Sequence, residues 1–378
     1  MTILEYDDLA LVPDAVFNGL IKQDVFYFSR PFLAAFAAHN PVIRHAYFVI
    51  SEYSAPVAIA VIQQLQVRLE TATAQLPLHA RLARSVHCTV AGRTAQIAVC
   101  GNIFLSGNYG VFVKNATQSR DIYDMIARFL HKSVIAKRAS VLFFKDFNDS
   151  QKEQTVLLAD NKFTAFQVDP NMVLSIQPSW QTVNDYLAQL KSKYRIKVNR
   201  ANSLSDSLTI KSLSASDIIK NSQRLNELIT NITERALVNT VNLNMQTYAA
   251  LKKAFPETVL FKGYYEQENL VAFAVAFVHH GTVDAHFIGM DYAKNKKFAL
   301  YPRILNDYIK EAIETRSVLL NLGRTSSEIK STLGAIPEPL HCYVRHKRTV
   351  ANLIFRPFVG QLKATPYKQH KPLKELKH

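Results

Sequence analysis

The stretch that decides the fold reads Leu320-Asn321-Leu322-Gly323-Arg324-Thr325-Ser326-Ser327-Glu328-Ile329-Lys330-Ser331-Thr332-Leu333-Gly334-Ala335. Its apolar start predicts a buried strand that ends at Gly323, and the residues after the glycine predict a short helix. A glycine at a strand end permits backbone angles and close approaches that other residues resist. Open α/β sheets bind ligands at the carboxyl ends of their strands, where Arg324 lies, and a Thr/Ser helix start can point N–H groups at an anion. The stretch therefore predicts an anion-binding corner in an α/β fold.

Two hairpins of similar sequence precede this stretch, at residues 46–61 and 259–275. Each consists of two apolar runs joined by turn residues, which is typical of paired strands. In each half a strand, a helix and a short strand follow, and the short strand opens Ser140-Val141-Leu142 in one half and Ser317-Val318-Leu319 in the other. The parallel predicts a tandem duplication; chance similarity between short strands is the alternative.

The helices are predicted from apolar residues that recur at three- and four-residue spacing, at residues 121–135 and 301–313. Strands that alternate with such helices indicate an α/β fold (α+β) with a mixed sheet in each lobe. Ser179 could cap a helix over residues 180–193, so the lobe boundary is expected around residues 174–179. We therefore predict an N-terminal lobe at residues 1–175, a C-terminal lobe at 176–348 and a basic tail at 349–378.

Length and composition exclude several classes of protein. A chain of 378 residues with 48% hydrophobic content can bury the cores of two domains. The acidic N-terminus does not have the pattern of a secretory signal, and the most apolar run, residues 270–278, is far shorter than the ~20 residues of a membrane span. Cys88, Cys100 and Cys342 are too widely spaced for a disulfide framework or a zinc site, so no metal is expected. These features predict a cytoplasmic protein.

The net charge of +15 predicts a polyanionic partner, because a positive surface attracts phosphates, nucleic acid or anionic lipid. The charge is concentrated in residues 191–200 and in the tail. The first run is either a solvated helix face whose lysines complement the helix C-terminal dipole or a phosphate-binding strip. The tail is by default a disordered end, and its alternative is peripheral contact with anionic lipid or an acidic carrier protein.

Two motifs resemble a known family. Residues 186–195 read Tyr-Leu-Ala-Gln-Leu-Lys-Ser-Lys-Tyr-Arg and resemble the central helix of the bacterial BioF2-like (GNAT-6) acetyltransferase domain. The block from Gly323 through Lys330 to Ala335 resembles the C-terminal signature of that family. Residues 287–291 end a strand in the way that the family's strand before its second long helix ends. The resemblance covers residues 180–348. It implies a tandem double GNAT fold, related to the Fem-type aminoacyl transferases of peptidoglycan synthesis, and transfer of an acyl group from a thioester or ester to an amine.

Acyl transfer to an amine requires loss of a proton from the amine, a polarised carbonyl and protonation of the leaving group. The candidate proton carriers are His286, Asp284 two positions earlier on the same face, and Tyr301. The alternatives are a histidine that only packs or lies on the surface, and a tyrosine that only packs. Contacts with donor or acceptor are expected from Lys193, Tyr194, Arg195, Gly289, Gly323, Arg324, Thr325 and Lys330.

One segment departs from ordinary GNAT enzymes. Their glycine-rich pyrophosphate loop should fall between Gly289 and Tyr301, where this chain has lysines and no glycine. Glycines do occur at residues 100–110 in the first lobe, where they fit tight turns. No permanently bound cofactor is expected, and acyl-CoA, acyl-carrier protein and aminoacyl-tRNA remain open as acyl donors.

Three functions follow from these observations. The first is an N-acyltransferase that uses a thioester donor, acyl-CoA or acyl-carrier protein, and a small-molecule amine or lipid precursor as acceptor. The second is a Fem-like transferase that depends on aminoacyl-tRNA. The third is a catalytically degenerate adaptor that binds polyanions.

Overall fold

The computed structural model describes residues 1–21, 25–69, 92–233 and 243–374. The strands are β1 (Thr2–Tyr6), β2 (Arg44–Glu52), β3 (Ala55–Arg68), β4 (Thr94–Cys100), β5 (Val111–Val113), β6 (Val141–Asn148), β7 (Thr164–Ser175), β8 (Thr209–Ser212), β9 (Val259–Glu266), β10 (Asn269–His279), β11 (Thr282–Met290), β12 (Leu319–Asn321) and β13 (Ile336–His346). The α-helices are α1 (Arg30–His39), α2 (Ser119–Lys132), α3 (Val156–Asp160), α4 (Val183–Gln189), α5 (Ser192–Leu204), α6 (Ala215–Lys220), α7 (Ser222–Thr233), α8 (Met245–Ala254), α9 (Tyr292–Phe298), α10 (Leu300–Glu314), α11 (Ser327–Ser331) and α12 (Thr349–Val359).

The chain divides into two compact units, each built from separate stretches of sequence. Among the described residues, unit 1 holds 1–21, 25–69, 92–169 and 339–365, and unit 2 holds 170–233, 243–338 and 366–374. The division lies between Asp169 and Pro170, inside β7, and so precedes the predicted boundary at 174–179. Residues 339–348 belong to unit 1 rather than to the predicted C-terminal lobe, because β13 pairs with β6 from Leu340 onward.

Unit 1 contains a mixed sheet in the order β1-β2-β3-β4-β6-β13. The predicted first hairpin is confirmed as β2 and β3, and β4 runs parallel to β6. The predicted helix α2 lies between these two strands in sequence and buries Ile122, Ile126 and Leu130. These side chains recur every four residues, so they share one face and complete the core of the unit.

Unit 2 repeats this plan with a sheet in the order β7-β12-β11-β10-β9-β8. The second predicted hairpin is β9 and β10, β11 runs parallel to β12, and α10 lies between them in sequence. Helix α10 buries Ile304, Leu305 and Ile309, each worth roughly 1.5–3 kcal/mol relative to exposure. The same order of hairpin, parallel pair and connecting helix in both units confirms the predicted tandem α/β fold.

The predicted helix over residues 180–193 is wrong, because the structure has two helices there. Helix α4 begins after Thr182, whose side chain and that of Asp185 form a capping box, so Ser179 is not the cap. Leu190 then adopts extended angles, and α5 begins at Ser192. The basic run 191–200 thus opens a helix instead of closing one. Its lysines lie near the positive end of the helix dipole, which contradicts the interpretation that they complement the negative end.

The expectation of a disordered tail is also wrong for residues 366–374. This segment, which we call the C-terminal strap, packs onto unit 2. Leu373 forms a bridge with Leu190, and the Lys191 N–H donates to the Pro372 carbonyl at 2.8 Å. The strap is ordered because the side chains of Leu373 and Tyr367 pack against the hydrophobic core of the unit. Among the described residues, no helix is long and apolar enough to cross a membrane.

Candidate active site

Strands β11 and β12 lie side by side only at their starts. Their parallel pairing joins Thr282–Asp284 to Leu319–Asn321 and stops there, although β11 continues to Met290. In the described part of the chain, no other strand covers this edge of β11 after Asp284. The four residues that follow Asp284 are only half-buried, although they lie inside the sheet. After Asp284 this edge of β11 therefore has no strand partner among the described residues, and we call this unpaired edge the gap.

The pairing of β11 with β10 is irregular at the same level. The register shifts between Ala274 and Ala276, so that His286 and Phe287 together oppose the single residue Val275. Such a bulge leaves backbone groups outside the ladder and re-aims side chains, and bulges are common beside active sites. The bulge and the gap together place His286 in the most irregular part of the sheet.

Two buried tyrosines satisfy the backbone groups that the bulge releases. The Tyr308 hydroxyl donates to the Val275 carbonyl at 2.9 Å. The hydroxyl of Tyr248, a fully buried residue of α8, forms a hydrogen bond with the backbone of Phe287. The bulge is thus held in one conformation by side chains from two helices.

Tyr248 also orients His286. Its hydroxyl oxygen lies 2.7 Å from His286 Nδ1, and burial raises the pKa of Tyr248 well above its usual value. The hydroxyl therefore stays protonated and can donate a hydrogen bond to Nδ1, and in that tautomer the proton of a neutral His286 lies on Nε2. In this arrangement Nε2 is a hydrogen-bond donor. Neutral His286 is thereby arranged to donate a hydrogen bond to a group that gains negative charge.

Asp284 has a different partner from His286. Its carboxylate lies 2.8 Å from His279 Nε2, and Asp284 is buried. The sequence predicted a shared face for Asp284 and His286, and the structure gives each a separate partner, His279 for one and Tyr248 for the other. The two predicted proton carriers do not form a hydrogen-bonded pair.

Tyr301, by contrast, joins the Gly323–Lys330 block. Its side chain forms a hydrogen bond with Ser326, and burial raises the pKa of Tyr301 above its usual value. The Tyr301 N–H, in the first turn of α10, donates to Asn295 Oδ1 at 3.0 Å. Both groups of Tyr301 are therefore directed to neighbours that the sequence did not identify.

The turn after β12 is strained. Gly323, Thr325 and Ser326 all have positive φ, at 71°, 66° and 51°. For the two residues that are not glycine, such angles cost on the order of 1–2 kcal/mol each. The Gly323 N–H donates to Asn321 Oδ1 at 2.9 Å, which helps to fix the turn.

Lys330 lies beneath this turn. It is only 3% exposed, and its ammonium donates to the carbonyls of Gly323 at 3.1 Å and Arg324 at 2.7 Å. Burial lowers the pKa of Lys330 to about 7, while the two carbonyl acceptors favour its protonated form. Lys330 thus holds the strained turn from below, whereas Thr325 is exposed and Arg324 is half-buried.

The C-terminal strap connects α5 to α11. His370 contacts the Tyr194 hydroxyl through Nδ1 at 3.2 Å and the Glu328 carboxylate through Nε2 at 3.1 Å. On the same helix as Tyr194, Lys193 is exposed and Arg195 is half-buried. The structure therefore links two of the predicted binding segments through a residue that sequence reasoning placed in a tail.

Gly289 packs closely against the ring of Phe273. It pairs with Phe273 across the sheet, and a Cβ atom at Gly289 would lie 2.1 Å from the Phe273 ring. The glycine is required there because the ring covers its backbone. Its predicted contact with a donor stays a prediction.

Helix α9 occupies the position of the expected pyrophosphate loop. Two of its three lysines, Lys294 and Lys297, form ion pairs with Glu266 at 2.6 and 2.8 Å. Asn295 accepts an N–H from the first turn of α10, which is one of the groups that a helix start would offer to a phosphate. A pyrophosphate group therefore finds few unoccupied partners here.

No family model matches this sequence, and no curated protein sequence matches it. Solved structures do match. FemX is similar with a TM-score of 0.53 and 10% identity over 91% of this chain and 97% of FemX. The C-terminal domain of a putative lysylphosphatidylglycerol synthetase from Agrobacterium fabrum has a TM-score of 0.51 and 11% identity, over 91% of this chain and 94% of that domain. L-PGS from Bacillus licheniformis has a TM-score of 0.50 and 12% identity, over 87% of this chain and 96% of L-PGS.

These similarities show the fold. The neighbours have GNAT folds, and the match extends over nearly the whole of both chains. The double GNAT fold that the sequence motifs implied is therefore confirmed.

Proposed function

We propose that the chain is an N-acyltransferase whose reaction takes place in unit 2, in the gap between β11 and β12. The observation that carries the proposal is the coincidence of three features at this gap: the end of the parallel pairing, the bulge at His286 and the strained turn at Gly323. A reacting carbonyl in the gap would lie beside backbone and side-chain donors held in fixed positions. Preorganised donors of this kind supply much of the catalysis of acyl transfer.

The corresponding place in unit 1 is closed. There the parallel pairing of β4 and β6 ends at Cys100 and Phe144, and Lys145 follows immediately. Lys145 forms a buried ion pair with Asp146, and a Cβ atom on Gly101 would lie 2.6 Å from the Lys145 side chain. Because the side chain of Lys145 fills this position, we assign the reaction to unit 2 alone.

His286 and Tyr301 act as hydrogen-bond donors in this proposal. Tyr248 fixes the proton of neutral His286 on Nε2, and the raised pKa of Tyr301 keeps its hydroxyl protonated. The carbonyl oxygen gains negative charge as the amine attacks, and hydrogen bonds from His286 and Tyr301 stabilise this charge. The proton that the attacking amine loses passes to the leaving thiolate or alkoxide.

The donor is an acyl group carried by a macromolecule, either aminoacyl-tRNA or acyl-carrier protein. Few groups are available to bind the pyrophosphate of free acyl-CoA. Lys294 and Lys297 form ion pairs with Glu266, and the Tyr301 N–H at the start of α10 donates to Asn295. The exposed cations of α5 and the net charge of +15 favour a polyanionic carrier. The Fem-type reaction with aminoacyl-tRNA, suggested by the similarity to FemX, is the first case to test.

The acceptor is an amine, either a small molecule or the amine of a lipid precursor. The similarity to a lysylphosphatidylglycerol synthetase makes a lipid acceptor the more specific suggestion. Peripheral membrane contact through the basic C-terminal residues would serve such an acceptor.

A screen of donors tests the proposal. Purified protein is incubated with aminoacyl-tRNA, acyl-carrier protein or acyl-CoA, and thermal stability and transfer to added amines are both recorded. A donor at 100 times its dissociation constant stabilises the protein by about 2.7 kcal/mol. We expect a shift and transfer with a macromolecular donor. Stabilisation by tRNA or carrier protein without any transfer would support the adaptor function instead, and efficient transfer from free acyl-CoA would contradict our assignment of the donor.

A further inference from the structure

Helix α12 of unit 1 presents apolar side chains to solvent. Four of its residues recur at positions i, i+3, i+4 and i+7 and so share one face, which we call the apolar stripe: Val350, Leu353, Ile354 and Pro357. Val350 is 72% exposed, Leu353 62% and Ile354 65%, and Pro357 is exposed as well. A helix on a protein surface ordinarily turns such a stripe toward the core. The stripe of α12 faces outward instead.

A buried asparagine on the opposite face of α12 fixes this orientation. Asn352 is only 3% exposed. Its amide nitrogen donates to the Lys162 carbonyl at 3.0 Å, and its Oδ1 accepts from the His346 N–H at 2.8 Å. Val359, which lies two turns further along the same face, is buried as well. Turning the helix to bury the stripe would break both bonds of Asn352, so the outward stripe is a fixed feature of the fold.

The surface around α12 is positively charged. Residues 339–365 contain no aspartate or glutamate, and the side chains of Arg348, Arg356 and Lys363 are exposed. None of these three cations forms an ion pair with a residue that the structure describes. The segment of unit 1 that contacts Asn352 adds no net charge, because its exposed residues Asp160 and Lys162 have opposite signs. Unpaired cations therefore lie at both ends of the apolar stripe.

The loop after α2 extends this cationic surface. The Lys347 ammonium donates to the Ala136 carbonyl at 2.7 Å, which holds the loop beside the start of α12. Lys137 and Arg138 of the loop are exposed. The carboxylate that contacts the loop belongs to Glu5, and it accepts two backbone N–H groups there. Further cations thus lie next to the first turn of α12.

Aliphatic side chains surrounded by cations match the surface of an anionic lipid bilayer. In a bilayer, the apolar side chains of such a helix reach the acyl chains, while its arginines and lysines stay among the headgroups and attract anionic lipids. A second copy of this chain would bring two positive surfaces together. The phosphates of a nucleic acid would pair with the cations but offer the stripe no apolar contact. The combination of stripe and charge therefore favours a lipid surface over either alternative.

We propose that α12 docks unit 1 onto an anionic lipid bilayer, with the helix in the plane of the interface and the apolar stripe inserted among the acyl chains. This inference rests on the proposed function in one respect, because a lipid acceptor would be met at such a surface. Docking itself requires no acyl donor, so it is measured without transfer.

Flotation of the full chain with vesicles tests the docking. Vesicles of phosphatidylcholine alone are compared with vesicles of phosphatidylcholine and phosphatidylglycerol in equal amounts. We expect binding to the anionic vesicles that weakens with salt. Replacing Leu353 and Ile354 together by glutamine should weaken this binding at least about tenfold, and Arg356→Gln about fivefold.

The matched control replaces Leu11 and Val42 together by glutamine. These apolar side chains are 61% and 67% exposed, much like the pair in α12. They lie next to β1 and β2, at the opposite edge of the unit 1 sheet from β13. The control should therefore bind vesicles as wild type does.

A tryptophan placed in the stripe shows whether it inserts. With anionic vesicles, the emission of Val350→Trp should shift to shorter wavelength and be quenched by brominated lipid. The emission of Trp180, which is buried in the core of unit 2, and that of Val42→Trp should respond to neither. This variant also decides the question if the double glutamine variant does not fold, which the thermal midpoint shows.

Each contrary outcome identifies a different error. Equal vesicle binding by wild type and the double glutamine variant would overturn insertion of the stripe and leave an electrostatic contact only. Absence of vesicle binding, together with binding to tRNA or acyl-carrier protein that the α12 variants weaken, would overturn the lipid surface in favour of that macromolecule. Vesicle binding without transfer to any acceptor would support docking and count against the proposed function alone.

Discussion

Replacing Lys330 by methionine should change how the stability of unit 2 depends on pH. The folded pKa of Lys330 is about 7, against 10.5 for an ordinary lysine. Between these values the unfolded chain binds a proton that the folded chain does not. The free energy of unfolding therefore rises with pH across this window, and this contribution is lost as the pH falls toward 7.

The magnitude follows from the size of the window. When the unfolded chain binds one more proton than the folded chain, the free energy of unfolding changes by about 1.4 kcal/mol per pH unit. Between pH 7 and pH 9 the free energy of unfolding of wild type should therefore rise by about 2 kcal/mol more than that of Lys330→Met. The two carbonyls that accept from the ammonium favour its charged form and make this figure an upper value.

The assay is urea unfolding at pH 7, 8 and 9, followed by the fluorescence of Trp180. This is the single tryptophan of the chain, and it is buried in the core of unit 2. Lys220→Met, at an exposed position of the same unit, is the control and should parallel wild type at every pH. A constant difference between wild type and Lys330→Met across the three pH values would refute the assignment of a pKa of about 7 to Lys330.

Three further predictions concern packing and orientation in unit 2. Leu373→Ala should lower the unfolding free energy of unit 2 by about 1–2 kcal/mol because its side chain packs on the core. The exposed Leu353→Ala should have little effect, and equal effects would contradict a packed strap. Gly289→Ala should cost at least about 1–3 kcal/mol, measured by the same unfolding assay, because its methyl group would overlap Phe273. No atom of the described residues lies within 4 Å of the corresponding position of Gly19, so Gly19→Ala is the control. Tyr248→Phe should slow acyl transfer about tenfold and shift its pH profile, since His286 loses the group that fixes its proton. An unchanged profile would show that the tyrosine only packs.

The fold was predictable from sequence because its signals are local. The hairpins and the helices α2 and α10 follow from apolar periodicity and from turns within a few residues, and the structure confirms them. The double GNAT fold came from the motifs at residues 186–195 and 323–335, whose spacing is also local.

Features of the site that depend on distant partners were not predictable. The hydrogen bond of His286 comes from Tyr248, a residue 38 positions earlier, and nothing in the local pattern connects them. The break at Leu190 is associated with a bridge to Leu373, which lies near the other end of the chain. The sequence predicts that Lys330 contacts the donor or acceptor, because its spacing does not reveal that its ammonium donates to two backbone carbonyls.

The central claim is that acyl transfer takes place beside His286 in unit 2. Its most direct test is the single-turnover rate of transfer from the best macromolecular donor to an amine, measured for wild type and His286→Gln. His341→Gln, which removes an imidazole from unit 1, is the matched control. We expect the rate for His286→Gln to fall by about 100-fold or more, as removal of a positioned hydrogen-bond donor to a developing oxyanion usually causes, while the control keeps the wild-type rate. Equal rates for all three proteins would contradict the assignment of the reaction to this gap.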